Sequence, residues 1–332
     1  MDISTHVTRG DTTTAAERLA ALRDAPTGER KAALRRLRTT TDDDPSLAAP
    51  LVEDLVPFLI DEDRSVRLST AKLLTGVAEA APSEVLSVSE DLADRLAAED
   101  EFYYVRARCA EALGHVAVDR PDEVASPTVL ADLRVGLAFD EPEVRVKLAK
   151  ALEHVAHGDP DRLRHQVAAL SEHLDDDEAL VRYHLLTAVT VIACVHPGRV
   201  AGVRGRIADR LNDDEPVVRG RAAEALGVLP SAENESPDSA STRAPETFAD
   251  RLIRTEPDDE PFLAERLEFA RAAFDGTVSD REFEGIGSTS GIRATTAAAV
   301  DAITTPDGAE CPHCGNEVPT DAPICPICGS PH

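Results

Sequence analysis

The chain has 332 residues, room for two or three ordinary domains or for one repeat array with attachments. Hydrophobic residues make up 42%, yet there is no Trp and only three Tyr and eight Phe, so Ala, Leu and Val must do the packing, which suits thin helical layers. A formal charge of −27, with only four Lys (Lys31, Lys72, Lys147, Lys150) beside 31 Arg, weighs against nucleic-acid binding, which needs cations to displace counterions from phosphates.

Residues 1–11 read as an N-terminal tail. They lack a basic start followed by an apolar core, so no secretory signal is expected. The longest weakly polar run, Leu185 to Val195, is too short to span a bilayer, and the expected location is the cytoplasm.

A self-similar pattern starts at residue 12. Five Val-Arg pairs, Val66-Arg67, Val105-Arg106, Val144-Arg145, Val181-Arg182 and Val218-Arg219, follow one another at steps of 39, 39, 37 and 37 residues. Each opens an apolar run of helical period, which predicts an array of stacked helical hairpins over residues 12–229. In the first clear unit, Leu51 to Ile60 reads as a short apolar helix. An acidic break follows at Asp61-Glu62-Asp63, and the second helix starts at Val66. Pro82, Pro121, Pro160 and Pro197 open the later units, where helices tolerate proline. An Asp stands six residues before the Arg at Asp61, Asp100, Asp176 and Asp213, and five before it at Asp140. A weaker unit comes first, with Arg30 placed 37 residues before Arg67 and Glu29 in place of Val.

Within the array, Phe102-Tyr103-Tyr104 and Tyr183-His184 flank Val-Arg pairs and are the candidate partner-binding residues, since aromatics serve as binding anchors. The competing reading is packing within the helices. Cys109 and Cys194 fall on second helices of non-adjacent units, so they are expected to be unpaired core residues.

After Leu229 the texture changes. Residues 230–246, rich in Ser, Ala, Glu, Asp and Pro, read as a flexible linker. Residues 247–305 hold helical stretches at Pro261 to Phe274 and Gly291 to Ile303, either degenerate repeats or a cap on the array. Residues 309–332 contain Cys311-Pro-His-Cys314-Gly and Cys325-Pro-Ile-Cys328-Gly. Two Cys separated by two residues reach one ion, and the Gly after each pair relaxes the turn. Two such pairs predict one closed, structural Zn²⁺ site of four thiolates, Cys311, Cys314, Cys325 and Cys328, with no open position for catalysis. The segment has no Lys or Arg and no aromatic, which points to protein rather than nucleic-acid contact.

The proline, acidic turn, Val-Arg pair and following Ala-x-x-Leu over about residues 12–229 resemble HEAT repeats, the short kind that includes the phycobilin lyases. The two cysteine pairs resemble prokaryotic zinc ribbons. The acidic, lysine-poor balance is similar to that of haloarchaeal proteins. The resemblance implies an all-α, right-handed α-solenoid of HEAT-like hairpins with a small C-terminal zinc ribbon. It also implies a polar ladder in which Asp61, Asp100, Asp176 and Asp213 link to Arg67, Arg106, Arg145, Arg182 and Arg219, with Asp140 the doubtful rung. The di-iron hydroxylases of this fold use His-Glu dipeptides, and no His here precedes Glu. No phosphate loop or nucleophile elbow appears either. The expected function is a non-enzymatic protein-interaction scaffold with no small-molecule substrate and no membrane contact. The alternatives are an enzyme or enzyme subunit of the HEAT-like lyase type, which needs a polar pocket, and a nucleic-acid-associated regulator, which needs a local basic strip.

Overall fold

The structure is a computed structural model that describes residues 2–229, 248–257, 260–278, 283–304, 309–310 and 317–318. The second helices of the hairpins are α1 (Thr27–Thr40), α2 (Arg64–Ala80), α3 (Tyr103–Asp119), α4 (Pro142–Gly158), α5 (Ala179–Val195) and α6 (Pro216–Val228). Three more helices follow in the C-terminal segment: α7 (Phe248–Arg254), α8 (Pro261–Phe274) and α9 (Thr289–Ile303). The helices group into two compact units, residues 1–154 and 155–306. Among the described residues, no helix is long and apolar enough to cross a membrane.

Local chemistry sets the helix limits. Asp63 caps α2, its carboxylate accepting the Ser65 N–H at 2.8 Å. Val66, Leu73, Leu74 and Val77 then bury one stripe. Pro82, Pro121 and Pro197 end the helices before them by forcing the preceding residue out of the helical region: Ala81 lies at φ −147°, Arg120 at −132° and His196 at −129°.

Two expectations are corrected. The segment read as an N-terminal tail holds a helix, Ile3–Thr8, whose Ile3 and Val7 are buried as it packs on Thr12–Leu22 and α1. One apolar pair at i and i+4 is too short a signal to read as a periodicity. The single helix read at Leu51 to Ile60 is broken into 3-10 turns at Pro45–Leu51 and Val56–Ile60 around one α turn, Val52–Leu55. Pro50 and Pro57 remove the backbone donors that a longer α-helix needs there.

In the first unit α1 packs on α2 and α2 on α3. The backbones of α3 and α4 come so close at Gly114 that a Cβ there would lie 2.8 Å from Ala151 Cα. In the second unit α5 packs on α6 and α6 on α8. Gly220 and Gly227 make room for the rings of Phe262 and Phe269, to which an added Cβ would stand at 2.7 and 2.6 Å. Thus α8 occupies the place of a further second helix. Its Arg271 holds α7 by donating Nη2 to Leu252 O at 2.8 Å and Thr255 O at 3.0 Å. Every residue of α5 from Val181 to Ala193 is buried. A helix apolar on all sides must be covered on all sides, and α9 lies across α5 and α6 to complete that cover.

Candidate interaction surface and metal centre

The Val-Arg arginines form a ladder, with rungs that differ in part from the sequence pattern. Arg182 donates Nε and Nη2 to the two oxygens of Asp213 at 2.8 and 2.7 Å, and Nη1 to the carbonyls of Asp176 and Asp177 in its own turn. Asp213 also accepts the Glu215 N–H, so one carboxylate ties both its own turn and the preceding repeat. Arg30 reaches Asp61 in the same way, at 2.7 and 3.0 Å. Arg67 instead takes Glu101, at 2.9 and 2.8 Å, while Asp100 points to solvent. The extra methylene of Glu compensates for a position one residue later in the turn. Arg106 meets no carboxylate at its corresponding place: its guanidinium lies over the Phe139 ring at 5.1 Å, a cation–π contact, and Asp140 is exposed. Asp176 accepts the Glu178 N–H at 2.9 Å, and Arg145 and Arg219 donate to carbonyls of their own turns.

The second helices carry a second pattern that reading by motif missed. Counting by the repeat step aligns Ser69, Arg108 and Lys147 in one row and Lys72, Glu111 and Lys150 in the next. These side chains meet on α2, α3 and α4. Glu111 accepts from Arg108 Nη1 at 3.0 Å and from Lys150 Nζ at 3.2 Å, one bond on each oxygen. Burial alone would push the Glu111 carboxyl up, but Lys147, Arg108 and Lys150 hold it well below the usual carboxylate range. Burial, reinforced by the like charges of Arg108, Lys150 and Lys72 and opposed by Glu111, pushes the Lys147 amine down to about 8. His115 lies beside the cluster, edge-on to His154 at 4.7 Å between ring centroids. Burial and Lys150 lower its pKa. A cavity of about 200 Å³ opens next to Lys72, Arg108 and Glu111 and is also lined by Arg38, Asp42 and Glu79. The sequence signal was available: three of the four lysines fall in these two rows.

At the same register in the second unit stand His184 and Arg221, then Thr187 and Glu224. Here the row is covered. Glu224, with no exposed side chain, accepts from Arg221 Nη1 at 2.6 Å, Arg266 Nε at 2.9 Å and the Gly287 N–H at 2.8 Å. Arg221 Nη2 donates to the Tyr183 hydroxyl at 2.8 Å, and the Cys194 thiol donates to Gly287 O at 3.4 Å. Gly287 sits at φ +74°, where a side chain would be strained and would also strike Phe269.

The aromatic candidates separate by burial. Tyr104, Tyr183 and His184 are buried and offer a partner no surface, so packing explains them. Phe102 and Tyr103 are half-buried. They stack on each other at 4.8 Å, Tyr103 also lies 6.3 Å from Phe139, and Arg64 covers Phe102 at 5.0 Å. Cys109 is fully buried, and burial raises its thiol pKa; Cys194 is pushed up to about 12 for the same reason. Neither forms a disulfide.

Cys311, Cys314, Cys325 and Cys328 lie outside the described residues. What is described beside them is a short antiparallel pair, Ala309–Glu310 with Glu317–Val318, in the register Ala309 to Val318 and Glu310 to Glu317. It pinches the chain on either side of the segment that holds Cys311 and Cys314. Four thiols in two such pairs make a donor set that fits zinc. Among the described residues, no group of three or more His, Cys, Asp or Glu is placed to hold a metal ion.

Residues 89–190 match the family of HEAT repeats, and residues 311–331 match the zinc-ribbon domain. No curated protein matches the chain. An engineered protein of known structure is similar over 91% of this chain and 81% of its own, with 18% identity and a TM-score of 0.58. A second engineered protein is similar over 68% of this chain and 98% of its own, with 21% identity and a TM-score of 0.57. A designed armadillo repeat protein solved in complex with the peptide (KR)4 covers 67% of this chain and 99% of its own, at 17% identity and a TM-score of 0.54. At these identities the likeness is one of fold: an all-α repeat solenoid.

Proposed function

We propose that this chain, which carries HEAT repeats and ends in a zinc-ribbon sequence, is a non-enzymatic scaffold that holds a protein partner on the surface of its repeats. The observation that carries this reading is the division of labour among its polar side chains. The ladder arginines are consumed in joining one turn to the next, as Arg30, Arg67 and Arg182 are. A second set of polar side chains, Arg108 and Lys147 in one row and Lys72, Glu111 and Lys150 in the next, recurs at a fixed step along successive second helices. Repetition of that kind makes an extended surface. The likeness to a designed peptide-binding armadillo protein supports the same reading at the level of fold.

In this reading Cys311, Cys314, Cys325 and Cys328 hold one Zn²⁺ as thiolates, and the ion organises a segment too small to fold on its own. The ribbon is a second contact, and two linked contacts raise avidity through effective concentration. Phe102 and Tyr103 remain the aromatic residues with surface to give a partner. The experiment is cross-linking mass spectrometry on the full chain in extracts of its native host. The expected result is cross-links from residues 27–158 to a reproducible protein partner; wild-type chain that forms none overturns the scaffold.

A further inference from the structure

On α2, α3 and α4 the cations Lys72, Arg108, Lys147 and Lys150 gather around Glu111, with Asp42 and Glu79 farther along the adjoining cavity, in a chain whose net charge is −27. Both Glu111 oxygens are already engaged, by Arg108 and Lys150. Lys147 therefore adds its charge to a carboxylate whose oxygens are taken. Lys150 keeps 28% of its side chain exposed and Lys147 is half-buried, so neither residue is sealed in the core, whereas Lys72 is buried and contributes its charge from beneath. The cavity beside Lys72 and Arg108 extends this cluster toward α1.

The same register in the second unit shows what this row of positions accepts. There Glu224 and Arg221 lie under the chain's own backbone, with Gly287 donating its N–H to Glu224 and α9 crossing α5 and α6. An irregular stretch of polypeptide is thus a fitting cover for the row. In the first unit the row has changed its charge, with Arg108 and Lys147 at one position and Lys72 and Lys150 at the next.

We propose that the open side of α3 and α4 binds an extended, acidic segment of a protein partner, whose carboxylates pair with Lys147 and Lys150 in the field of Arg108 and the buried Lys72. This rests on the scaffold reading and names the class of partner. Neighbouring packed helices stand roughly 8–10 Å apart, and an extended polyproline II segment rises about 3.1 Å per residue with every third side chain on the same side. Carboxylates about three residues apart therefore fall over successive helices. A nucleic acid fits less well. Its phosphates would meet a chain of net charge −27 beyond these few cations, and no aromatic residue belongs to the two rows to stack a base.

The test is fluorescence anisotropy of the full chain with a labelled oligoglutamate peptide, alongside oligolysine and oligothymidylate of equal length. The wild type is expected to bind oligoglutamate, more weakly as salt rises, and Lys147→Gln/Lys150→Gln to weaken it about tenfold. Lys147→Gln alone leaves both bonds to Glu111 in place, so it serves if circular dichroism shows the double variant misfolded; a loss of severalfold is expected from it. Absence of oligoglutamate binding, equal binding by folded variants, or tighter oligothymidylate binding lost in the same variants overturns the proposal. If oligoglutamate fails while cross-links to a protein partner persist on the repeats, the inference alone falls; if no partner cross-links, the scaffold falls as well.

Discussion

Arg182 grips Asp213, 31 residues further on in the next repeat, through two near-parallel hydrogen bonds of 2.8 and 2.7 Å. The Asp213 side chain is 1% exposed, so the pair is desolvated and its geometry must do the compensating.

Replacing Arg182 by Ala leaves Asp213 buried with the longer 3.3 Å contact to Arg210 as its one remaining cation and the Glu215 N–H as its other donor. The expected loss is about 3 kcal/mol. Arg182→Lys keeps the charge but cannot fork, and is expected to fall between the two. Asp100→Ala, at an exposed carboxylate that the repeat pattern marks equally strongly, is expected to change stability by less than about 0.5 kcal/mol. Urea denaturation, with hydrogen exchange in the turn before α6, measures all three.

Glu224→Gln removes the negative charge that Arg221 and Arg266 share in the core of the second unit. A loss of about 3–5 kcal/mol is expected, because two guanidinium groups remain buried together. Gly287 also loses its charged acceptor. Faster hydrogen exchange and earlier proteolytic cleavage over residues 283–304 are the expected local signs. Unchanged protection there would show that α9 is held by its apolar contacts alone.

Lys147 gives a pH signature. Its amine titrates at about 8 in the folded chain against 10.5 for the free side chain, chiefly because it is desolvated. Between those pH values the unfolded chain binds the proton and the folded chain has released it. This group therefore adds stability as pH rises from about 8 to 10.5, and below 8 it costs stability. Lys147→Met is expected to be the more stable protein at pH 7, with the difference narrowing as pH rises toward 10.5. Thermal melts of the two proteins across that range check it; a difference independent of pH would remove the lysine from the explanation.

Zinc removal gives a local effect. Chelation, or Cys311→Ser with Cys314→Ser, is expected to abolish about one equivalent of bound zinc by elemental analysis and to expose residues 309–332 to protease. Helicity is expected to stay nearly unchanged, since the ellipticity comes from the hairpins.

The repeat was legible because its determinants are local and periodic. Val66, Val105, Val144, Val181 and Val218 recur at a near-constant step, and apolar period, acidic turn and proline agree at each occurrence. The two cysteine pairs were legible for a similar reason, since the chelate geometry is written into their spacing. Short proline-broken first helices and the Ile3–Thr8 helix were not, because neither is long enough to show a period.

What only tertiary structure decided is which side of a helix has a neighbour. Asp100 and Glu101 are adjacent carboxylates in one turn, and the choice between them depends on where Arg67 arrives from the preceding repeat. Lys150 and Glu224 occupy corresponding positions at the repeat step, yet one remains partly exposed and the other is sealed beneath Gly287 and Arg266. The sequence by itself determined that helical hairpins stack, because each hairpin must bury an apolar stripe and only its neighbours can bury it. That the row at Arg221 and Glu224 is covered was decided by how the C-terminal helices pack on α5 and α6, since exposure is a property of the packed chain and not of the residue that carries the charge.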